Sequence, residues 1–148
     1  KDAVGDEVIN ITTVQGDLGV YSGGGQDTVT ITTVGKNLVV DSGSGSSGAD
    51  IITIITVEGD GLVKSGIDGD FITVETAMGN LEIDSSDGKD TITIDTVEKS
   101  LTIDSSTGDD DIMIDLVKLN LVIDSGSDDD TIDISIVNGS VILDSASG

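Results

Sequence analysis

The chain has 148 residues, no cysteine, and 29 acidic residues against six lysines or arginines, which gives a formal net charge of −23. The lack of cysteine excludes a disulfide scaffold, and no run of about 18 apolar residues is present to form a transmembrane helix. We therefore expect no membrane insertion, and the acidic excess argues against binding to nucleic acids and to anionic lipid headgroups, because both are negatively charged. With no composition shift along its length, the chain is expected to form one domain over residues 1–148.

One sequence pattern recurs seven times, roughly D-x-I-x-I-x-x-V-x-x-x-L-x-I-D-S-x-x-G-x. Its central position falls at intervals of 20 residues, with one interval of 23, at Val14, Val34, Val57, Ala77, Val97, Val117 and Val137. Each repeat contains two stretches of alternating β-branched residues separated by turn residues, which is typical of strand, turn, strand, turn. The period predicts an all-β parallel β-helix, or β-solenoid, which we expect to be right-handed. Its seven coils are expected near residues 1–26, 27–49, 50–69, 70–89, 90–109, 110–129 and 130–148, with a three-residue insertion bulging from the turn at 43–49.

Stacking of the coils converts equivalent positions into columns that run along the rod. Five columns consist almost entirely of Val, Ile and Leu, and they begin at Ile9, Ile11, Val14, Leu18 and Val20. We expect these columns to fill the interior, where each buried aliphatic side chain contributes roughly 1.5–3 kcal/mol. A sixth column is all serine and is expected to form a corner through hydroxyl bonds to the backbone; it contains Ser22, Ser42, Ser65, Ser85, Ser105, Ser125 and Ser145.

Acidic residues also fall into columns. Two of these flank the turn after the second strand of each coil, which we call the Gly/Ser turn; an example is Ser105-Ser106-Thr107-Gly108. One contains Glu7, Asp27, Asp50, Asp70, Asp90, Asp110 and Asp130; the other contains Asp41, Asp84, Asp104, Asp124 and Asp144, with Tyr21 and Lys64 at the remaining places. Like charges about 4.8 Å apart repel each other, and calcium prefers several oxygen ligands from carboxylates and turn carbonyls. The sequence therefore predicts Ca²⁺ bound by Asp27, Asp50, Asp70, Asp90, Asp110, Asp130, Asp84, Asp104, Asp124 and Asp144. The alternative is that these acids only form a solvated face that resists aggregation.

The turn sequences resemble a known family of calcium-binding repeats. The segment Ser22-Gly23-Gly24-Gly25-Gln26-Asp27-Thr28-Val29-Thr30 is similar to the nonapeptide of haemolysin-type (RTX) repeats. A shorter core, G-x-D-x-U with U an aliphatic residue, begins again at Gly48, Gly88 and Gly108. The resemblance implies that Asp27, Asp50, Asp90 and Asp110 bind calcium between stacked turns. The chain also resembles, more loosely, the acidic β-solenoid regions of secreted bacterial surface proteins, which implies an extracellular or cell-surface location.

The composition argues against catalysis. The chain has no histidine and no arginine, and its loops are minimal, so we expect that it is not an enzyme. Columns of threonine raise ice binding as a minor alternative, although Met113, Leu116, Asp133 and Ile136 interrupt them.

The expected contact surfaces of the rod are its ends and an outward set of apolar residues. An uncapped solenoid exposes strand edges and core at both ends, which favours end-to-end association. A set of outward-facing apolar residues predicts further, lateral contacts. The alternative is that these are surface residues without a partner. The set contains Ile51, Phe71, Met113, Leu116, Leu119 and Ile136. The sequence thus predicts an extracellular structural protein, the subunit of a self-assembling fibre, sheath or matrix with calcium-braced turns. The alternative is a stalk region of a larger secreted adhesin or RTX-like protein.

Overall fold

The chain forms a β-solenoid of about seven turns, which confirms the predicted fold class. The computed structural model describes residues 5–43 and 48–146, and in these ranges every regular element is a strand. The first strands of successive coils are β1 (Val8–Val14), β3 (Thr28–Val34), β5 (Ile51–Val57), β7 (Phe71–Ala77), β9 (Thr91–Val97), β11 (Asp111–Val117) and β13 (Thr131–Val137). The second strands are β2 (Leu18–Tyr21), β4 (Leu38–Asp41), β6 (Gly61–Lys64), β8 (Leu81–Asp84), β10 (Leu101–Asp104), β12 (Leu121–Gly126) and β14 (Val141–Ser145). The described residues contain no helix that is long and apolar enough to cross a membrane.

The strands form two seven-stranded parallel sheets, one from the odd-numbered and one from the even-numbered strands. Each strand pairs with its counterpart one repeat away, as Ile72 pairs with Ile92 and Ile83 with Ile103. Between β3 and β5 the pairing of Thr28 with Ile51 skips the three extra residues without a register change. The predicted bulge that contains them lies partly outside the described residues, at 44–47.

The five aliphatic columns fill the space between the two sheets, as predicted. In one central coil Ile92, Ile94, Val97, Leu101 and Ile103 are all buried, and the same positions are buried in the neighbouring coils. Two core positions lack a large aliphatic side chain, Gly61 and Ala77. Ala77 is fully buried, and the side chain of Leu81 lies close to Gly61, since a Cβ on Gly61 would be 3.0 Å from the Leu81 Cδ1 atom. The core is therefore continuous through the middle of the rod.

The two end coils leave this core partly uncovered. At the last coil the side chains of Val141 and Leu143 are 47% and 52% exposed, whereas those of Leu121 and Ile123, one coil earlier, are fully buried. At the first coil Ile9 is only partly buried, although Val29 in the next coil is fully buried. Both ends of the described solenoid thus present apolar side chains and unpaired strand edges.

Turns at the Gly/Ser corner stack so closely that some positions admit only glycine. Gly108 has a φ of +130°, and a Cβ built on it would overlap the carbonyl group of Gly88 in the coil before. A residue with a side chain is strained in that backbone conformation and has no room there. The contact explains glycine at this coil, whereas the equivalent positions of two other coils carry Asp68 and Asp128, also at positive φ.

Candidate functional site: the side-chain ladders and the open ends

The first acidic column is buried. We call Glu7, Asp27, Asp50, Asp70, Asp90, Asp110 and Asp130 the inner ladder; its five middle members are no more than 1% exposed. Each aspartate stands just before the first strand of its coil, as Asp90 precedes β9, which begins at Thr91. The chain turns its corner there, and the side chain folds inward rather than into solvent.

Hydrogen bonds between coils explain this inward orientation. In every rung the backbone N–H of one ladder residue donates to the Oδ1 atom of the ladder residue in the next coil. The N to Oδ1 distances are 2.8 Å for Glu7 to Asp27, 2.7 Å for Asp27 to Asp50, 2.7 Å for Asp50 to Asp70, 2.8 Å for Asp70 to Asp90, 2.8 Å for Asp90 to Asp110 and 3.1 Å for Asp110 to Asp130. A carboxylate that accepts a backbone N–H satisfies a donor that the corner leaves without a partner in the sheet. The inner ladder therefore joins each coil to the next.

In five aspartates of the inner ladder the second carboxylate oxygen has no hydrogen-bond partner. The Oδ2 atoms of Asp27, Asp70, Asp90, Asp110 and Asp130 are buried and unpaired. The buried serine column lies beside them, and hydroxyls such as those of Ser65 and Ser85 approach the carboxylates without reaching hydrogen-bond geometry. Ser42 and Ser105 do make the predicted bonds to the backbone, with Oγ to carbonyl oxygen distances of 3.2 Å to Ser65 and 3.4 Å to Ser125.

Burial shifts the titration of these acids. It raises the pKa of Asp90 to about 7 and that of Asp50 to about 6, against the opposing effect of the backbone N–H and serine hydroxyl that face each group. The pKa values of Asp70 and Asp110 are raised for the same main reason. Loss of hydration disfavours the charged form more than one accepted N–H favours it.

A solvated face is therefore the wrong description of the inner ladder, although it was a reasonable alternative from the sequence. From the sequence, the acids are expected to repel one another unless a cation lies between them. Instead each carboxylate is enclosed and holds a backbone N–H. The sequence did contain a signal: the ladder position keeps Asp in six of seven coils, nearly as strictly as the serine corner, which keeps Ser in all seven.

The inner ladder, as arranged, is a poor fit for calcium. Its Oδ1 atoms already accept N–H groups, and calcium needs six to eight oxygens around one point. Among residues 5–43 and 48–146, no group of three or more acidic side chains is placed to hold a metal ion. Calcium binding by the predicted residues remains a prediction.

The second acidic column is more accessible. Asp41, Lys64, Asp84, Asp104, Asp124 and Asp144 pair in register from β4 to β14, and we call them the outer column. Its acids are half-buried in the earlier coils and exposed from Asp104 onward. The Nζ atom of Lys64 lies 2.7 Å from Oδ2 of Asp84. The outer column therefore holds one cation, the ammonium group of Lys64, within it.

Sequence reasoning missed a second hydrogen-bonded ladder at the opposite turn. We call Asp17, Asn37, Asp60, Asn80, Ser100, Asn120 and Ser140 the turn ladder. Here the N–H of each residue donates to the side-chain oxygen of the coil before: 3.1 Å for Asn37 to Asp17, 3.0 Å for Asp60 to Asn37, 2.7 Å for Asn80 to Asp60, 3.3 Å for Ser100 to Asn80, 3.4 Å for Asn120 to Ser100 and 3.1 Å for Ser140 to Asn120. The donors of the turn ladder point toward the N-terminal end and those of the inner ladder toward the C-terminal end. The restriction of this position to Asp, Asn and Ser was the available signal, because these side chains accept backbone hydrogen bonds at turns.

Most of the predicted interface residues are exposed. Ile51, Phe71, Met113, Leu119 and Ile136 are exposed and Leu116 is half-buried. Ile51 pairs with Phe71, and Leu116 with Ile136, so they form neighbouring pairs on the odd-numbered sheet. The sequence did not single out Val8, which is 72% exposed on β1. Whether these residues contact a partner remains a prediction.

Comparisons with protein-family models, with curated proteins and with solved structures found no match to this chain.

Proposed function

We propose that the chain is a structural protein, a rod-shaped subunit of an extracellular fibre, sheath or matrix that grows by stacking coils at its open ends. The observation that carries the proposal is the exposure of core positions at the last coil, where Val141 and Leu143 lie about half uncovered. The charge of −23 makes like-charged rods repel each other at long range, so the apolar and backbone contacts at the ends must outweigh that repulsion.

The exposure of strand edges and apolar side chains at the two ends is unfavourable in water, and this supports the same proposal. Parallel strands with exposed edges and an apolar face favour addition of another strand layer. The interior of the chain already contains such junctions, since each coil pairs with the next over both sheets. A further coil on Leu143 would bury it as completely as Ile123 is buried one coil earlier.

Sedimentation velocity over a range of concentrations tests this function. The native chain is expected to form larger species as concentration rises. Leu143→Lys places a charge on the open core and is expected to abolish growth. Ile142→Lys is the matched control, because Ile142 is equally exposed on the same strand but belongs to the column of Val122, outside the core. Growth that is lost equally in both variants would argue for lateral contact instead.

A stalk within a larger secreted protein is the second candidate, and the same open ends favour it. In that case further repeats of the same polypeptide cover Leu143, and copies of the chain need not associate. A chain that stays monomeric at high concentration, with calcium present, would favour the stalk.

The outer column is the part of the rod where we expect calcium to bind. Lys64 lies between Asp41 and Asp84 in the pairing register, and its ion pair with Asp84 supports a place for positive charge there. In the later coils Asp104, Asp124 and Asp144 follow one another with no lysine between them. We propose that calcium takes the corresponding role between neighbouring pairs of these exposed carboxylates, with water as its remaining ligands, because no three described acidic side chains converge on one point.

A further inference from the structure

The two ladders of hydrogen bonds end with opposite, unmatched groups at the two ends of the rod. At the C-terminal end, the N–H of Asp130 has no following coil in the described chain to supply a carboxylate. At the N-terminal end, the described chain contains no preceding coil that could supply an N–H to the carboxylate of Glu7, whose Oε2 atom is buried without a partner. The inner ladder thus leaves a donor at one end and an acceptor at the other.

The turn ladder leaves the reverse pair. Ser140 donates its N–H back to Asn120, so by the pattern of the turn ladder its hydroxyl oxygen is the acceptor for a following coil that the described chain does not contain. Asp17 accepts the N–H of Asn37, and the described chain contains no preceding coil that could accept the N–H of Asp17 itself. A serine oxygen already serves as acceptor inside the rod, where Asn120 N lies 3.4 Å from Ser100 Oγ.

From these ends we propose that a second copy of this chain docks head to tail in one register, with Glu7 accepting the N–H of Asp130 and Ser140 accepting the N–H of Asp17. This inference rests on the proposed function and adds the polarity and the register of the junction. The spacing is consistent with both bonds forming at once, because Glu7 and Asp17 are ten residues apart, as are Asp130 and Ser140.

The same register brings the open cores together. It stacks Ile9 on Ile132 and Leu18 on Val141, since these belong to the same columns. Head-to-head docking instead sets acceptor against acceptor at Glu7, and tail-to-tail docking sets donor against donor at Asp130. Docking between like ends is therefore disfavoured by the inner ladder alone.

Disulfide cross-linking tests the register directly, because the chain has no native cysteine. Gly19 and Ile142 occupy the same outward column, so a chain carrying both Gly19→Cys and Ile142→Cys places the two thiols on adjacent strands across the junction. Adjacent strands are about 4.8 Å apart, which suits a disulfide. Within one copy the two sites are six coils apart, about 29 Å by the same spacing, so no internal bond can form.

The expected result is a series of disulfide-linked multimers from the double variant under mild oxidation. Each single cysteine variant and the offset pair Gly19→Cys with Asp144→Cys are expected to give almost none, because the offset sites lie about 8 Å apart. Dimers from a single variant would overturn the head-to-tail polarity. Assembly in sedimentation without a cross-link in the double variant would overturn the register and leave the proposed function standing, whereas a native chain that never assembles would overturn both.

A second measurement isolates the ladder contact. Glu7→Ala removes the acceptor for Asp130 and is expected to weaken association about tenfold. Glu7→Gln keeps a side-chain oxygen at the same reach and is expected to restore most of the affinity. Equal association of the native, Ala and Gln chains would show that Glu7 does not bridge the junction.

Discussion

The backbone N–H of Asp70 donates a 2.8 Å hydrogen bond to Oδ1 of Asp90, one coil further along the chain. The bond joins the corner of one coil to a side chain of the next, and its equivalents run through the inner ladder. Because the carboxylate is buried with its other oxygen unpaired, the same contact that holds the coils together also carries an electrostatic cost. The stability of the rod should depend on whether that carboxylate is charged.

We expect the rod to become less stable as pH rises from about 4 to about 7. An unfolded aspartate has a pKa near 3.9, whereas burial raises the pKa of folded Asp90 to about 7 and that of Asp50 to about 6. A group with a raised folded pKa contributes its full stability below the unfolded pKa and loses it as pH rises through the folded value. Thermal melts followed by circular dichroism between pH 4.5 and 7.5 measure this, and a midpoint that increases over the window would contradict it.

Neutralising one inner carboxylate should stabilise the rod at neutral pH. Asp90→Asn keeps the oxygen that accepts the Asp70 N–H and replaces the unpaired oxygen with an amide beside Ser85. We expect a higher melting midpoint at pH 7.5 and little change at pH 4.5. Asp104→Asn is the matched control, because it removes the same charge from an exposed position; an equal gain from both variants would assign the effect to net charge.

Substitution of a stacked corner glycine should destabilise the rod. Gly108→Ala adds a Cβ that overlaps the carbonyl of Gly88 and strains a backbone at φ +130°, so a loss of more than about 1 kcal/mol is expected. Gly16→Ala is the control, because no atom lies within 4 Å of a Cβ at that position. Urea unfolding of both variants gives the two free energies, and a stability loss no larger at Gly108 than at Gly16 would refute the close stacking of turns.

The calcium proposal predicts a higher melting midpoint with calcium than with a chelator. The gain should exceed that from magnesium at equal concentration, because magnesium keeps its own waters and a stricter geometry. Asp124→Asn, in the middle of the exposed acids of the outer column, is expected to reduce the gain. Asp95→Asn removes an exposed acid on the other sheet and should leave it unchanged. Equal midpoints with calcium and chelator would mean that the acids bind no ordered calcium.

The fold was predictable because the aliphatic core positions and the repeat period carry complementary information that is consistent with one structure. The aliphatic columns, such as the one through Ile92 and Ile112, specify which side faces inward, and the period specifies which coil pairs with which. The direction of the Asp90 side chain was not predictable in this way. An acid at a turn is usually exposed, and only the geometry of the corner shows that a backbone N–H draws it inward.

The turn ladder was missed for a related reason. Asn80 and Ser100 differ in length and chemistry, so their column did not look uniform in the sequence. Their shared property is a side-chain oxygen that accepts an N–H from the next coil. The polarity of such bonds becomes visible only when the coils are placed in space.

Electron microscopy of the concentrated chain tests the central claim, growth by stacking of coils, most directly. The account predicts filaments one solenoid wide whose diffraction shows a repeat of about 4.8 Å along the axis, as in the pairing of successive coils. Separate rods about 34 Å long, seven coils at that spacing, at every concentration would contradict it.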